Sequence, residues 1–137
     1  MASSTSRLVQ ATQSLSLEQQ AEIARSLLTA NNLYNLANSA QYEHNERRDS
    51  LEQSFVLASN VLKQTPGNPS ALSLMARINM DLGNLDQAEA LLKKALQLSP
   101  RDENIGLNEG YLRIAKRQYD AAEKAFLNVL EINKHSV

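Results

Sequence analysis

The sequence predicts an all-α protein, an α-solenoid of antiparallel helix pairs stacked one on the next. Three observations lead there. The first is composition. Ala, Leu, Gln, Glu and Lys, which lose least on entering a helix, dominate the 137 residues, and only four Gly and three Pro interrupt them. The second is a period of 34. Setting Leu85–Pro100 (LDQAEALLKKALQLSP) over Tyr119–Lys134 (YDAAEKAFLNVLEINK) puts Asp86 on Asp120, Ala88 on Ala122, Glu89 on Glu123, Leu92 on Phe126 and Leu96 on Leu130. One step earlier, Leu51, Ala58, Leu62 and Pro66 fall on Leu85, Leu92, Leu96 and Pro100. A period of this length marks stacked repeats. The third is a set of polar caps: Ser16, Ser50 and Asn84 each precede a Leu and have a Gln three residues on, the pattern of a capping box.

Taken in order, residues 1–15 are expected to be ragged and 16–137 to form one domain. Ser16-Leu17-Glu18-Gln19 opens an additional N-terminal helix within 16–32, with a stripe of Ala21, Ala24, Leu27 and Leu28. Whether that helix stops at Thr29–Asn32 or runs on is open in the sequence. Residues 33–68 read as a degenerate pair. Its first helix runs through Leu33, Leu36, Ala37 and Ala40, starting about five residues early for the period. Glu43–Arg48 is a polar connection. Ser50-Leu51-Glu52-Gln53 then opens a second helix to about Gln64, with Ser54 and Ala58 at its key positions.

Residues 69–102 form the strongest pair. Gly83 supplies a left-handed helix end and Asn84 the next cap. Small Ala76 and Ala88 mark where the two helices cross, so a bulky residue at 88 should cost a few kcal/mol through overpacking. In the last pair, 103–136, Gly110, Ala122, Phe126 and Val129 keep the pattern. Gly106, Glu109 and Arg113 stand where bulky core residues belong, and Lys134 replaces the closing Pro.

Composition also excludes. A hydrophobic fraction of 42% suffices for a core, while a net charge of −1 with no basic face argues against nucleic acid. There is no cysteine, so no disulfide, thiolate metal site or Cys nucleophile. His44 and His135 read as exposed polar residues. Glu43, Glu46, Asp49 and Glu52 have Arg47 and Arg48 among them and lack calcium-loop spacing. Gly106 and Gly110 follow no phosphate-loop pattern, and close helix packing explains them. The expectation is no catalytic residue, no metal, no cofactor and no enzyme. No apolar run has the length of a signal peptide or membrane span. The chain as given therefore reads as soluble and cytoplasmic, unless it is cut from a longer protein.

Residues 69–100 resemble the tetratricopeptide repeat. Counted from Pro69, Leu72, Met75-Ala76, Ala88, Leu92, Ala95 and Pro100 stand at that family's pattern positions, and only Asn79 departs. The resemblance extends over 69–136 and, loosely, 33–68. It implies a superhelix of about three repeats plus an N-terminal helix, with the first helix of each pair presenting a concave face to a partner protein. Carried over, the partner-binding residues are Ser73, Arg77 and Met80 in one repeat and Asn104, Leu107, Asn108, Tyr111 and Ile114 in the next, with Ser70 beside them. The implied function is a protein-interaction module, an adaptor or chaperone-like protein binding a peptide or helix segment. The alternative is a regulatory or substrate-docking region of a larger enzyme or a secretion or envelope-assembly protein. The family's carboxylate-clamp subset needs a Lys where Ser73 stands, and only Asn108 matches it.

Leu107, Tyr111 and Ile114 form an apolar stripe open to three readings. A partner docks on it; the helix is rotated and the stripe is core; or the N-terminal helix or a second copy covers it. Leu127 and Ile132 give the last helix a partly apolar outer face, which favours the larger-protein alternative, and pairing of uncapped ends into a homodimer is a third reading.

Overall fold

The computed structural model describes residues 15–39 and 44–134. The expected ragged segment (apart from Leu15), Ala40, Glu43 and His135 lie outside the described residues. Among those described are six helices and no strand: α1 (Leu17–Ala37), α2 (His44–Gln64), α3 (Pro69–Asp81), α4 (Leu85–Leu98), α5 (Glu103–Ala115) and α6 (Tyr119–Lys134). α1 pairs with α2, α3 with α4 and α5 with α6. The pairs stack in chain order, and α3 touches α1 on one side and α5 on the other. No described helix is long and apolar enough to cross a membrane.

α1 settles the question left at Thr29–Asn32: it is one unbroken helix. Ser16 caps it as a full box. The Gln19 N–H donates to Ser16 Oγ at 3.1 Å, and the Ser16 N–H donates to Gln19 Oε1 at 2.9 Å. Across the weak stretch, the Thr29 hydroxyl and the Asn31 amide donate to the carbonyls of Arg25 and Leu27, four residues back. Burial of Ala30, Tyr34 and Ala37 against the neighbouring helices outweighs the low propensity of these polar residues. The division at 32/33 therefore falls inside α1, whose two parts together face α2.

α2 differs from expectation. It starts at His44, so the residues from 44 to 48 are helix rather than connection, and Ser50 is a buried residue inside it, not a cap. In the added turn Glu46 and Arg48 face outward, with Arg48 paired to Glu52 at 3.5 Å, while half-buried Arg47 donates to Asn38 Oδ1 at 3.4 Å. The long α1 gives α2 something to pack along for 21 residues. Asn84 also departs from its expected role. It sits at the cap position without a capping bond; its amide donates to Asn79 Oδ1 at 3.4 Å and its N–H to the Asn79 carbonyl at 2.8 Å. Asn79 is buried, and its own amide donates to the Met75 carbonyl at 2.9 Å. Its polar atoms are satisfied, which makes a polar residue tolerable at an apolar position.

The small residues sit where the pairs cross. Ser54, Ala88 and Ala122, each 34 apart, are all buried. The Ser54 hydroxyl spends its polarity on the Ala30 carbonyl at 2.7 Å. In the last pair the close approach falls to glycine. A Cβ on Gly106 would lie 2.6 Å from Val129 Cγ2, and one on Gly110 would run into the Phe126 ring. Ile132, expected on the outer face, is buried instead, while Leu127 stays exposed.

Gly83 turns between α3 and α4 at φ +83°, and Arg117 makes the same turn 34 residues later at φ +60°. A side chain held left-handed costs roughly 1–2 kcal/mol. Arg117→Gly should therefore raise stability by about 0.5–1 kcal/mol after glycine's larger unfolded-state entropy is subtracted, read as a higher denaturation midpoint at unchanged slope.

Glu109 and Arg113, at positions where bulky residues were expected, are polar but bridged. Arg113 Nε donates to Glu109 at 2.8 Å, and its Nη2 reaches Glu89 on α4 at 3.3 Å. Lys116 also donates to Glu89 and lies 3.2 Å from Asp86. The Lys116 ammonium, followed by Arg113, holds the Glu89 carboxyl below the usual carboxylate range. A depressed carboxylate stabilises the fold above its unfolded value of 4.5, and that contribution fades as pH falls through the lower folded value. The stability advantage of the native chain over Glu89→Gln should thus be present at pH 7 and shrink steadily below pH 4.5 in thermal melts.

Candidate functional site

The first helices of the three pairs, α1, α3 and α5, turn one face each toward a shared groove of about 430 Å³. From α3 to α5 the register step is 34 positions. From α1 to α3 it is 39, the five-residue early start visible in the sequence. In this register Asn31, Ser70 and Asn104 form one layer, Tyr34, Ser73 and Leu107 the next, and Asn38, Arg77 and Tyr111 a third. Ala37, Ala76 and Gly110, all buried, hold the backbones close behind them.

The groove brings together Ser73, Arg77, Asn104, Leu107, Asn108 and Tyr111. Met80 and Ile114 do not line it. Met80 is half-buried against the core between α3 and α4, and Ile114 is exposed. The buried side of α5 is Ile105, Gly106, Asn108, Gly110 and Leu112, so the rotated-register reading of the apolar stripe is excluded. α1 lines the same groove yet leaves Tyr111 45% exposed.

Ser73 and Asn108 form the floor. Both are buried, and the Asn108 amide donates to Ser73 Oγ at 2.6 Å, tying α5 to α3. Arg77 stacks over the Tyr34 ring, its guanidinium carbon 4.8 Å from the centroid. Burial, reinforced by the Asp81 carboxylate, pushes the Tyr34 hydroxyl up to about 12, so the ring stays neutral beneath the cation. Among the described residues Arg77 has no salt-bridge partner, which leaves its charge available to a ligand. Tyr111 is braced edge-on by Phe126, with centroids 5.6 Å apart and planes at 64°.

The exposed amides of Asn35 and Asn104 flank this floor. Each offers a carbonyl acceptor and an NH₂ donor on one plane, the match for a peptide group. Among the described residues no group of three or more His, Cys, Asp or Glu is placed to hold a metal.

The model of the tetratricopeptide repeat matches residues 49–94 and again 83–136. The chain belongs to the tetratricopeptide repeat family. Its fold is matched by the first tetratricopeptide domain of Spaghetti (RPAP3) bound to the HSP90 peptide SRMEEVD, with a TM-score of 0.58 and 18% identity, covering 80% of this chain and 82% of that one. The tetratricopeptide domain of Sgt2 from Aspergillus fumigatus matches with 0.59 and 21% identity over 77% and 67%. The first such domain of human RPAP3 matches with 0.59 and 18% over 80% and 83%. At these identities the likeness is one of fold. No curated protein sequence matches the chain significantly.

α1, α3 and α5 are the first helices of the three pairs, and all three line this groove. Sequence reasoning missed Asn31, Tyr34 and Asn35 because it divided α1 between an additional helix and a repeat. The signal was present: carrying the early start of that helix through the register places all three opposite known lining positions.

Proposed function

We propose that this tetratricopeptide chain is a protein-interaction module, an adaptor that holds an extended polypeptide segment in its concave groove. One observation carries the reading. Side-chain amides with no hydrogen-bond partner among the described residues, Asn35 and Asn104, line the groove with a cation fixed in place on Tyr34 and an aromatic ring braced by Phe126. Solvent exposure keeps such amides paired with water, and a peptide backbone replaces that water at little loss.

The groove's charge narrows the partner. Among the described residues of its lining Arg77 is the one basic side chain, and Asp102 carries the opposite charge. The segment SRMEEVD bound by the Spaghetti domain carries three acidic side chains in its last four residues. This groove is suited instead to a near-neutral segment with a single carboxylate for Arg77 and an apolar side chain for Leu107 and Tyr111.

The test places a photo-crosslinking residue at Asn104 in the groove and, separately, at Lys93 on the exposed side of α4. Irradiation in native lysate should give a discrete adduct from position 104 that disappears in the Arg77→Ala background. Equal labelling from both positions, or adducts indifferent to Arg77, would rule the groove out.

A further inference from the structure

Arg77 and Asp81 stand four positions apart on α3, the spacing at which opposite charges on a helix ordinarily pair. Here they do not. Among the described residues neither takes part in a salt bridge. The two charges go to different sides of the molecule. Arg77 lines the concave groove, whereas Asp81 borders a separate depression with Arg47, Arg48 and Leu51 of α2. Tyr34 stands between them. The Arg77 guanidinium carbon lies 4.8 Å from the centre of its ring, and its hydroxyl meets the Asp81 carboxylate. Asn38, at the end of α1, holds the same carboxylate: its amide donates to Asp81 Oδ2 at 3.4 Å. Arg47 donates to the Asn38 Oδ1 at 3.4 Å, which fixes the way that amide points.

We infer that Tyr34 is a positioning residue for the groove: it splits the Arg77–Asp81 pair, holding the carboxylate on the far side and leaving the guanidinium to a carboxylate of the bound segment. This rests on the groove reading above. Magnitudes favour the split. An exposed i,i+4 ion pair shifts an equilibrium by about twofold, while a half-buried cation over an aromatic face gains about fivefold. Without the hydroxyl, Asp81 loses a donor and Arg77 has its own carboxylate within reach. A carboxylate on the same helix competes with one on a partner at no cost in association entropy, so a closed pair within α3 would take the cation out of the groove.

The test uses the full chain and two readouts: the NMR shifts of the Arg77 side-chain protons, and the photo-adduct formed from position 104. Protons held over the Tyr34 ring resonate upfield of their ordinary positions. Tyr34→Phe keeps the ring and removes the hydroxyl. It should cost Arg77 roughly half of that upfield displacement or more and cut the adduct about threefold. Asn38→Ala, an exposed change that leaves Tyr34 intact, should move both readouts the same way by less. Asp81→Asn added to Tyr34→Phe should restore both, because the competing carboxylate is gone. A purely structural loss at buried Tyr34 would not be repaired at exposed Asp81. Unchanged Arg77 shifts in Tyr34→Phe overturn the inference, and so does a failure of Asp81→Asn to restore them. If the native chain gives no adduct from position 104, the groove reading fails, and the Arg77 shifts alone decide whether Tyr34 splits the pair.

Discussion

Ala88→Leu is expected to lower the stability of the chain by about 2–3 kcal/mol, and its Tm by roughly 6–12 °C. Ala88 is fully buried where α4 crosses α3, in one cluster with Ala76, Leu72 and Leu92. Three added carbons have no void to enter, so they force either an unfavourable rotamer or a wider separation of the helix axes. Widening is felt beyond the pair, because Ile105 and Leu112 of α5 belong to the same cluster. Denaturant titration followed by far-ultraviolet circular dichroism measures the loss. Lys93→Leu, on the exposed side of the same helix, is the control and should change stability by less than about 0.5 kcal/mol. A loss at Ala88 no larger than the control's would remove the packing argument for the whole stack.

The second large effect lies in the last pair. Gly106→Ala brings a methyl to 2.6 Å from Val129 Cγ2. Val129 is buried, and a β-branched side chain in a helix has essentially one rotamer, so it cannot swing aside. The clash should destabilise by about 1–3 kcal/mol despite alanine's better helix propensity. Val129→Ala alone leaves a small cavity at a loss of about 1–2 kcal/mol. In the double variant the new methyl occupies that space, and the combined loss should fall at least about 1 kcal/mol short of the sum. Strict additivity would mean that the two residues do not meet.

Much of the architecture could be read from individual residues. The 34-residue step located Ala88, Ala122 and Leu92, and all are buried as the step requires. Gly83 was readable as a left-handed turn because a single residue type does that at no steric cost. The groove was only half legible. Arg77, Asn104, Leu107 and Tyr111 followed from the family resemblance, whereas Asn31, Tyr34 and Asn35 were hidden by a five-residue shift in α1. Glu109 and Arg113 looked like failures of the pattern. Their pairing with each other is an i,i+4 contact that local spacing allows, but the second partner of Arg113, Glu89, stands 24 residues away and no local rule announces it.

The tetrapeptide Ser-Leu-Glu-Gln, present twice, shows where the division falls. By itself the sequence determined that helices form, how often they recur and which small side chains let them nest, since propensity and periodicity reside in neighbouring residues. At Ser16 it also determined the cap, and the capping box is present. At Ser50 the same four residues lie inside α2, with Ser50 and Leu51 buried and Glu52 and Gln53 exposed, and the upstream turn reaches the end of α1 through Arg47, which donates to Asn38 Oδ1 at 3.4 Å. A first-turn N–H needs a side-chain cap only if the helix begins there. Where a helix begins is set by what the preceding residues can be packed against, which only the tertiary structure decided.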